Sequence, residues 1–321
     1  MKEINILSTK TLNSHTRNVF VVYIGFVAIL IINYIVSPAS ANFRDFINLL
    51  RQSSGLGILS IGQTMVILTG GIDLSLGSLV TFVHVLIMGM MGGNEAMILP
   101  LCLMGLAIGA LAGFINGVGI AKAKIAPFIM TLCTDFILRG LYMIYTKGQP
   151  RGILADSFRE LGRMRIWGFL PISVIVWISL SILFIFILKR TTFGAKVHMI
   201  GANPMCSYLS GVKNSRVIIT VYTLAGMLAA LTAILLTMDM SATSLNLGAD
   251  YSMDSISAVV VGGTFFSGGI GGVEGTIAGV LIIRLITALL QRADIANWGK
   301  LVIQSILILT VVAISARRRK I

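Results

Sequence analysis

Apolar residues in this chain fall into long runs, not into strict alternation or amphipathic stripes. Ten runs stand out, near 19–37, 54–70, 73–91, 98–120, 126–146, 170–188, 217–237, 252–265, 273–291 and 299–316. A helix rises about 1.5 Å per residue, and about 20 apolar residues cross a bilayer. In lipid every backbone group must be satisfied internally, which leaves helices once the alternation of a membrane barrel is absent. The pattern predicts an all-α polytopic membrane protein of about ten transmembrane helices, some broken or re-entrant. The eighth run is too short to span as a helix and is expected to enter and turn back.

Two runs are interrupted by glycine and by polar residues. Residues 67–80 read ILTGGIDLSLGSLV. Gly70 and Gly71 end one helix, because glycine favours a left-handed cap and weakens a helix interior. Asp73 and Ser75 then fall where a new helix begins, so either side chain is expected to accept from its free N–H groups. The competing reading is a plain turn between two spans. Residues 259–279 read VVVGGTFFSGGIGGVEGTIAG, again an apolar half-segment that meets glycines before an acid, Glu274, opens the next helix. The two stretches look like corresponding parts of two halves, a pairing typical of transporters that points to the transport path. The candidate path residues are therefore Gly70, Gly71, Asp73 and Ser75 in the first stretch. In the second they are Gly262, Gly263, Thr264, Ser267, Gly268 and Gly269. No GK[ST] follows either glycine run, so neither is a nucleotide loop.

Within the spans, Gly105, Gly109, Gly113 and Gly117 recur every fourth residue and form one smooth face for close helix packing, with Asn116 beside it as a further candidate for the path. Asp135 and Arg139 stand four apart on the fifth run, so they share a helix face and are expected to pair. Asp135, Arg139 and Arg284 are the charged candidates for lining the path.

Composition fits this picture: 56% of residues are hydrophobic and 12% charged, against roughly 25% charged in soluble domains. Lysine and arginine orient the spans. With the N-terminus in the cytoplasm, fourteen basic residues fall inside and nine outside, so both termini are placed in the cytoplasm. The 147–169 loop is an exception, with five basic residues on the outer side. The layout is one transmembrane domain over 1–321, with a cytoplasmic segment at 1–18, a cytoplasmic loop at 189–216 and a basic cytoplasmic tail at 317–321. The net charge of +13 borders apolar spans, where lipid headgroups attract it, and no basic patch suggests nucleic acid. SPASA at 37–41 offers a signal-peptidase-like site, but the preceding apolar core is longer than a cleaved signal's, so a retained helix is the reading. Cys102, Cys133 and Cys206 form no CxxC pair, so neither a disulfide nor a metal site is expected. His15, His84 and His198 read as isolated surface or packing residues.

The run GQTMVILTGGIDLSLGSLV (62–80) resembles the signature of permease subunits of bacterial ABC sugar importers of the ribose, xylose, arabinose and autoinducer-2 type. Stretches 109–141, 191–231 and 258–282 resemble the same family, in the same order. The resemblance implies a permease without enzymatic activity or cofactor, in the bacterial inner membrane. It implies a second permease copy, identical or paralogous, an ATP-binding subunit and a periplasmic sugar-binding protein. The cargo it implies is a pentose-like sugar such as ribose, with autoinducer-2 or another monosaccharide as alternatives. Departures stand at 285–292, LITALLQR, where many members are asparagine-rich, and at Arg284 and Asp135. From another class, an ion-coupled secondary transporter would need working intramembrane carboxylates, and Asp135 is the one clear acid within a span. No HExxH or Ser/Lys set supports an intramembrane enzyme.

The 189–216 loop holds five basic residues and no acids. Asn203-Pro204 suits a helix start, Met205, Tyr208 and Leu209 fall on one face, and Gly211 ends the turn. The position resembles the family's coupling helix, which docks on the ATP-binding subunit. Gly194, Gly201, Asn203, Pro204, Met205, Tyr208, Leu209 and Gly211 are the candidate coupling residues.

Overall fold

The computed structural model describes residues 2–36, 38, 42–240, 242–292, 299, 302 and 305–306. Most of the tenth apolar run, most of 37–41 and the 317–321 tail lie outside the described residues. The described residues are mostly helical, with a short hairpin, Arg165–Ile166 against Leu170–Pro171, in one connecting segment. Six described helices are long and apolar enough to cross a membrane: Val19–Val36, Glu95–Ala121, Pro127–Thr146, Ile172–Arg190, Asn214–Asp239 and Val273–Arg292.

The helices are α1 (Lys2–Val36), α2 (Phe43–Leu68), α3 (Leu76–Met91), α4 (Ile98–Ala121), α5 (Pro127–Thr146) and α6 (Asp156–Arg163). They continue as α7 (Ile172–Arg190), α8 (Thr192–Ala202), α9 (Pro204–Leu209), α10 (Asn214–Asp239), α11 (Tyr251–Val261) and α12 (Val273–Arg292). The first apolar run thus belongs to a helix that is continuous from Lys2. Asn42 starts α2 by accepting the Asp45 N–H at 2.8 Å, and Asp45 itself sits favourably at the positive end of the helix dipole.

The core is an antiparallel pair, α2 on α10. A methyl on Gly62 would lie 2.9 Å from the Ala225 Cα, and Thr232 Oγ1 donates to Gly55 O at 3.3 Å. The four glycines of α4 bury against α10 and its neighbours. Gly109 faces the Gly226 carbonyl, Gly113 the Tyr222 carbonyl, and a methyl on Gly117 would lie 2.7 Å from the Ile219 Cα. Small residues allow this backbone approach, and dispersion then holds helices that lipid offers no hydrophobic reason to associate. On the other flank α12 packs on α2, where the Thr64 and Thr276 hydroxyls meet at 2.8 Å.

Gly77 and Gly248 mark an inverted repeat. The Gly77 N–H donates to Ser252 Oγ at 2.8 Å, and the Gly248 N–H donates to Thr81 Oγ1 at 2.9 Å. A methyl on either glycine would strike the other's carbonyl oxygen. The interval from Gly77 to Gly248 equals that from Thr81 to Ser252, and the same interval carries Phe43–Leu68 onto Asn214–Asp239. Because α2 and α10 run in opposite directions, the two halves are inverted, as in many transporters. This corrects the pairing drawn from sequence. The counterpart of the 69–75 break is the segment after α10, and that of the 262–272 break is the turn at Gly92 and Gly93. The glycine runs are alike in composition and not in position.

The eighth run also differs from expectation. After Asp239, beside Arg51 of α2, the chain descends without regular structure along α3, touching His84 and then Gly77. It continues as α11 and arrives at Leu68, the opposite end of α2. The segment crosses instead of turning back, because an irregular stretch supplies the length that eleven helical residues lack. Its backbone is tolerated at that depth because protein side chains satisfy it. His84 is central here: Nε2 accepts the Ser244 N–H at 3.2 Å and Nδ1 meets Thr237 Oγ1 at 2.8 Å. Thr237 already donates to Ala233 O at 2.6 Å, so it accepts from an Nδ1–H tautomer.

Candidate functional site

At the first break the backbone leaves α2 through Gly70, whose φ of 82° suits glycine. Asp73 is 1% exposed, which sets aside a plain solvated turn. Its Oδ1 accepts the Ser75 N–H at 2.9 Å and the Ser75 Oγ–H at 2.6 Å. Ser75 Oγ accepts from Asn116 Nδ2 at 3.0 Å, and Asn116 Oδ1 accepts from Thr134 Oγ1 at 2.6 Å. Thr131 Oγ1 accepts the Leu74 N–H at 3.2 Å. A relay of polar groups thus fastens the break to α4 and α5. The cap differs from expectation. Ser75 makes no side-chain cap bond, Asp73 holds the N–H just ahead of the helix, and the first-turn Gly77 N–H goes to Ser252 of α11. Ser252 also donates to Leu74 O at 2.8 Å, so α11 closes the break from across the bundle. Among the described residues, Asp73 Oδ2 and the Tyr222 hydroxyl are buried without a hydrogen-bond partner, and a methyl on Gly71 would collide with that hydroxyl.

Asp135 and Arg139 pair as their spacing predicts, Oδ2 to Nε at 2.8 Å, next to Thr134 on α5. The carboxylate is buried and the guanidinium is half exposed. Arg284 places its guanidinium 5.2 Å from the centre of the ring of Tyr251, the residue before Ser252, a cation–π contact.

The second break is held by backbone. Gly262 packs against Gly275, and Thr264 Oγ1 accepts the Gly272 N–H at 3.3 Å. Gly263, Gly268 and Gly269 all take positive φ, and Ser267 is exposed. The Gly269 N–H donates to Leu68 O at 2.9 Å, and His198 Nδ1 meets Gly269 O at 3.0 Å. Gly201 of α8 abuts the Leu68 carbonyl and the Gly269 N–H more closely than any side chain allows. Residues read separately as path and as coupling loop are therefore one joint, made of Gly70, Gly268, Gly269 and Gly201. Lys189 adds an ion pair to Glu274 at 2.8 Å, which ties the end of α7 to the start of α12.

The loop after α7 folds as two short helices. Asn203 caps the second, its Oδ1 accepting from Met205 N at 2.9 Å and Cys206 N at 3.0 Å, with Pro204 at the first position. Gly211, at φ 80°, ends it. Met205, Tyr208 and Leu209 are 63%, 67% and 72% exposed, an apolar patch at the end of the molecule. Gly194 turns inward against the Leu188 carbonyl, so its smallness serves packing within the chain. His84, His198, Tyr222 and Ser252 were not legible as site residues. An isolated histidine in an apolar run was the one available signal, and for the serine there was none.

The family model described as branched-chain amino acid transport system, permease component, matches residues 46–312. Ribose import permease protein RbsC of Bacillus subtilis is 37% identical over 298 residues, covering 92% of this chain and 92% of that protein. The Escherichia coli K12 ribose import permease RbsC is 34% identical, over 91% of this chain and 93% of its own. Galactose/methyl galactoside import permease protein MglC of Haemophilus influenzae is 31% identical, over 91% and 93%. No solved structure matches. With the family model spanning most of the chain and relatives aligned end to end, this multi-pass membrane protein belongs to the permease-component family of branched-chain amino acid transport systems, as a transport subunit and not an enzyme.

Proposed function

We propose that the chain is the permease of an ABC importer for a pentose-like sugar such as ribose. The observation that carries this reading is the identity to ribose import permeases along some nine-tenths of the chain. In this reading a separate ATP-binding subunit supplies energy, a periplasmic binding protein delivers the sugar, and a second permease copy completes the path in the inner membrane. The exposed Met205, Tyr208 and Leu209 on α9 supply apolar anchors for the ATP-binding subunit. Movement there reaches both breaks through Gly201 and His198, which touch Leu68 and Gly269. The first break, with Asp73, Ser75 and Asn116, then borders the path, with Asp135 and Arg139 beside it.

The basic-residue count supports cytoplasmic termini, which puts α8 and α9 inside and the segment after α10 outside. Single cysteines at Ala242 and Tyr208, in a chain freed of Cys102, Cys133 and Cys206, should label from opposite sides of the membrane. The function itself is tested by uptake of labelled ribose in cells lacking their own ribose importers. Cells receive the permease with its ATP-binding and binding-protein partners. Uptake that requires all three is expected, and uptake of galactose but not ribose would replace the pentose with a hexose.

A further inference from the structure

At the end of the molecule opposite α8, the last turns of α1 and α12 and the first turns of α2 enclose a cavity of about 160 Å³. It rests on the membrane placement of these helices and not on the identity of the cargo. Its polar lining comes from Asn33 and Tyr34 of α1, Asp45, Asn48 and Gln52 of α2, and Arg292 of α12. Asn33 is 3% exposed, so its amide has left water. Arg292 Nη1 donates to Asn33 Oδ1 at 2.8 Å. A guanidinium can only donate, which fixes the amide orientation and leaves the Asn33 NH2 as a pure donor. That nitrogen is buried and has no hydrogen-bond partner among the described residues. A buried donor without an acceptor is destabilising, so the arrangement is incomplete as it stands.

The chemistry that completes it has two poles. The Asn33 NH2 and the Arg292 guanidinium present donors and a positive charge, which call for an acceptor-rich anion. Asp45 of α2, whose Oδ2 accepts from Asn42 Nδ2 at 3.1 Å, brings a carboxylate to the cavity that a donor cation can share. The carboxamides of Asn48 and Gln52 can serve either pole. A compact zwitterion carrying a phosphate and an amine matches both, and the volume suits a group of that size. Ile31, Ile32, Ile35 and Val36 of α1 are exposed beside the cavity, as a surface for acyl chains would be. Charged groups at helix ends lie at headgroup depth in a membrane protein.

We propose that this cavity seats the head group of a zwitterionic aminophospholipid, its phosphate at Asn33 and Arg292 and its amine at Asp45. The lipid bridges α1, which is otherwise little buried, to α2 and α12.

The test is native mass spectrometry on the detergent-purified full chain, titrated with dioleoyl phosphatidylethanolamine, dioleoyl phosphatidylglycerol or soluble phosphoethanolamine. The ethanolamine lipid should bind at least about tenfold more tightly than the glycerol lipid, from the extra charge-assisted contact at Asp45. Asn33→Asp keeps the size of the side chain and replaces the donor with an acceptor, so it should weaken the ethanolamine lipid about tenfold or more. Asp45→Asn should erase the preference between the two lipids without abolishing binding of either. Tight binding of soluble phosphoethanolamine, equal to the lipid's, would reassign the cavity to a free metabolite. Equal retention of both lipids by the wild type, unchanged binding in Asn33→Asp, or displacement of the lipid by ribose would each overturn the proposal. Arg292→Ala gives an independent readout if Asn33→Asp fails to fold, with the same loss expected.

Discussion

The two breaks in the bundle are built by opposite means. The 69–75 break is stitched by side chains: Asp73 to Ser75, Ser75 to Asn116, Asn116 to Thr134, with Ser252 closing from α11. The 262–272 break is made of glycine, and its outside contacts are a backbone N–H to Leu68, a backbone carbonyl to His198 and the bare approach of Gly201. The first is buried and specified at several points at once, so it behaves as a fixed staple. The second lies against α8, where an external partner has access, and is held by backbone bonds, close glycine approach and the packing of Phe266 against Leu74, Ile256 and Val260. In the importer proposed above, the first segment would keep its geometry and the second would transmit a push from the partner.

The largest effect expected is at the joint. Gly201→Val puts a branched side chain where not even a methyl fits, against the Leu68 carbonyl and the Gly269 N–H. Overpacking of this kind costs about 1–3 kcal/mol or more and displaces the elements that meet there. Uptake should fall below detection while the ATP-binding subunit still co-purifies. Normal uptake in this variant would break the distinction between staple and joint.

Next comes the surface that feeds the joint. Leu209→Asp should leave the permease in the membrane, abolish uptake and weaken recovery of the ATP-binding subunit on affinity purification. A variant that keeps its partner and its transport would return α9 to an ordinary solvated turn.

Smaller, and read in stability, is the staple itself. Asp73→Ala removes the acceptor of two bonds inside the bundle, each worth about 1.5–3 kcal/mol when one partner is charged. Asp73→Asn retains an acceptor and should lose about half as much. Thermal unfolding in detergent should rank wild type above Asn and Asn above Ala. Equal loss in the two variants would mean that the charge, and not the bonds, is what the site uses.

The smallest effect belongs to Asp135 and Arg139. Their ion pair lies beside the staple and is half exposed on the arginine side. A double-mutant cycle on thermal stability should give a coupling of about 1 kcal/mol. Strict additivity would show that the pair contributes nothing beyond its separate parts.

Much of this is legible in the sequence. The two interruptions announced themselves as glycine and polar residues inside apolar runs. Asn203-Pro204 marked a helix start, and glycine at every fourth position marked the α4 face. What failed to show has one physical cause. In a membrane bundle the lipid-facing and core-facing sides are both apolar, so the pattern gives span lengths but not which side faces which. Nothing local therefore distinguishes Ser252 or Tyr222 from a serine or tyrosine anywhere else in a span. The repeat was misassigned for a related reason. Glycine-rich turns resemble one another wherever they occur, whereas the true correspondence, Gly77 with Gly248, rests on two isolated glycines whose partners are far away in the chain.

The burial of α2 sets a timetable for the protein's synthesis. This helix is not among those apolar enough to cross on hydropathy alone, and it buries Ser53, Ser54, Ser60, Gln63 and Thr64. Its Thr64 finds Thr276 only 212 residues later. At roughly 5–20 residues per second, a ribosome takes about 10–40 seconds to cover that distance. During that interval a helix with a serine- and threonine-lined face waits in or beside the translocon without the neighbours that will shelter it. A chain built this way depends on the insertion machinery to hold its centre while its periphery is still being made.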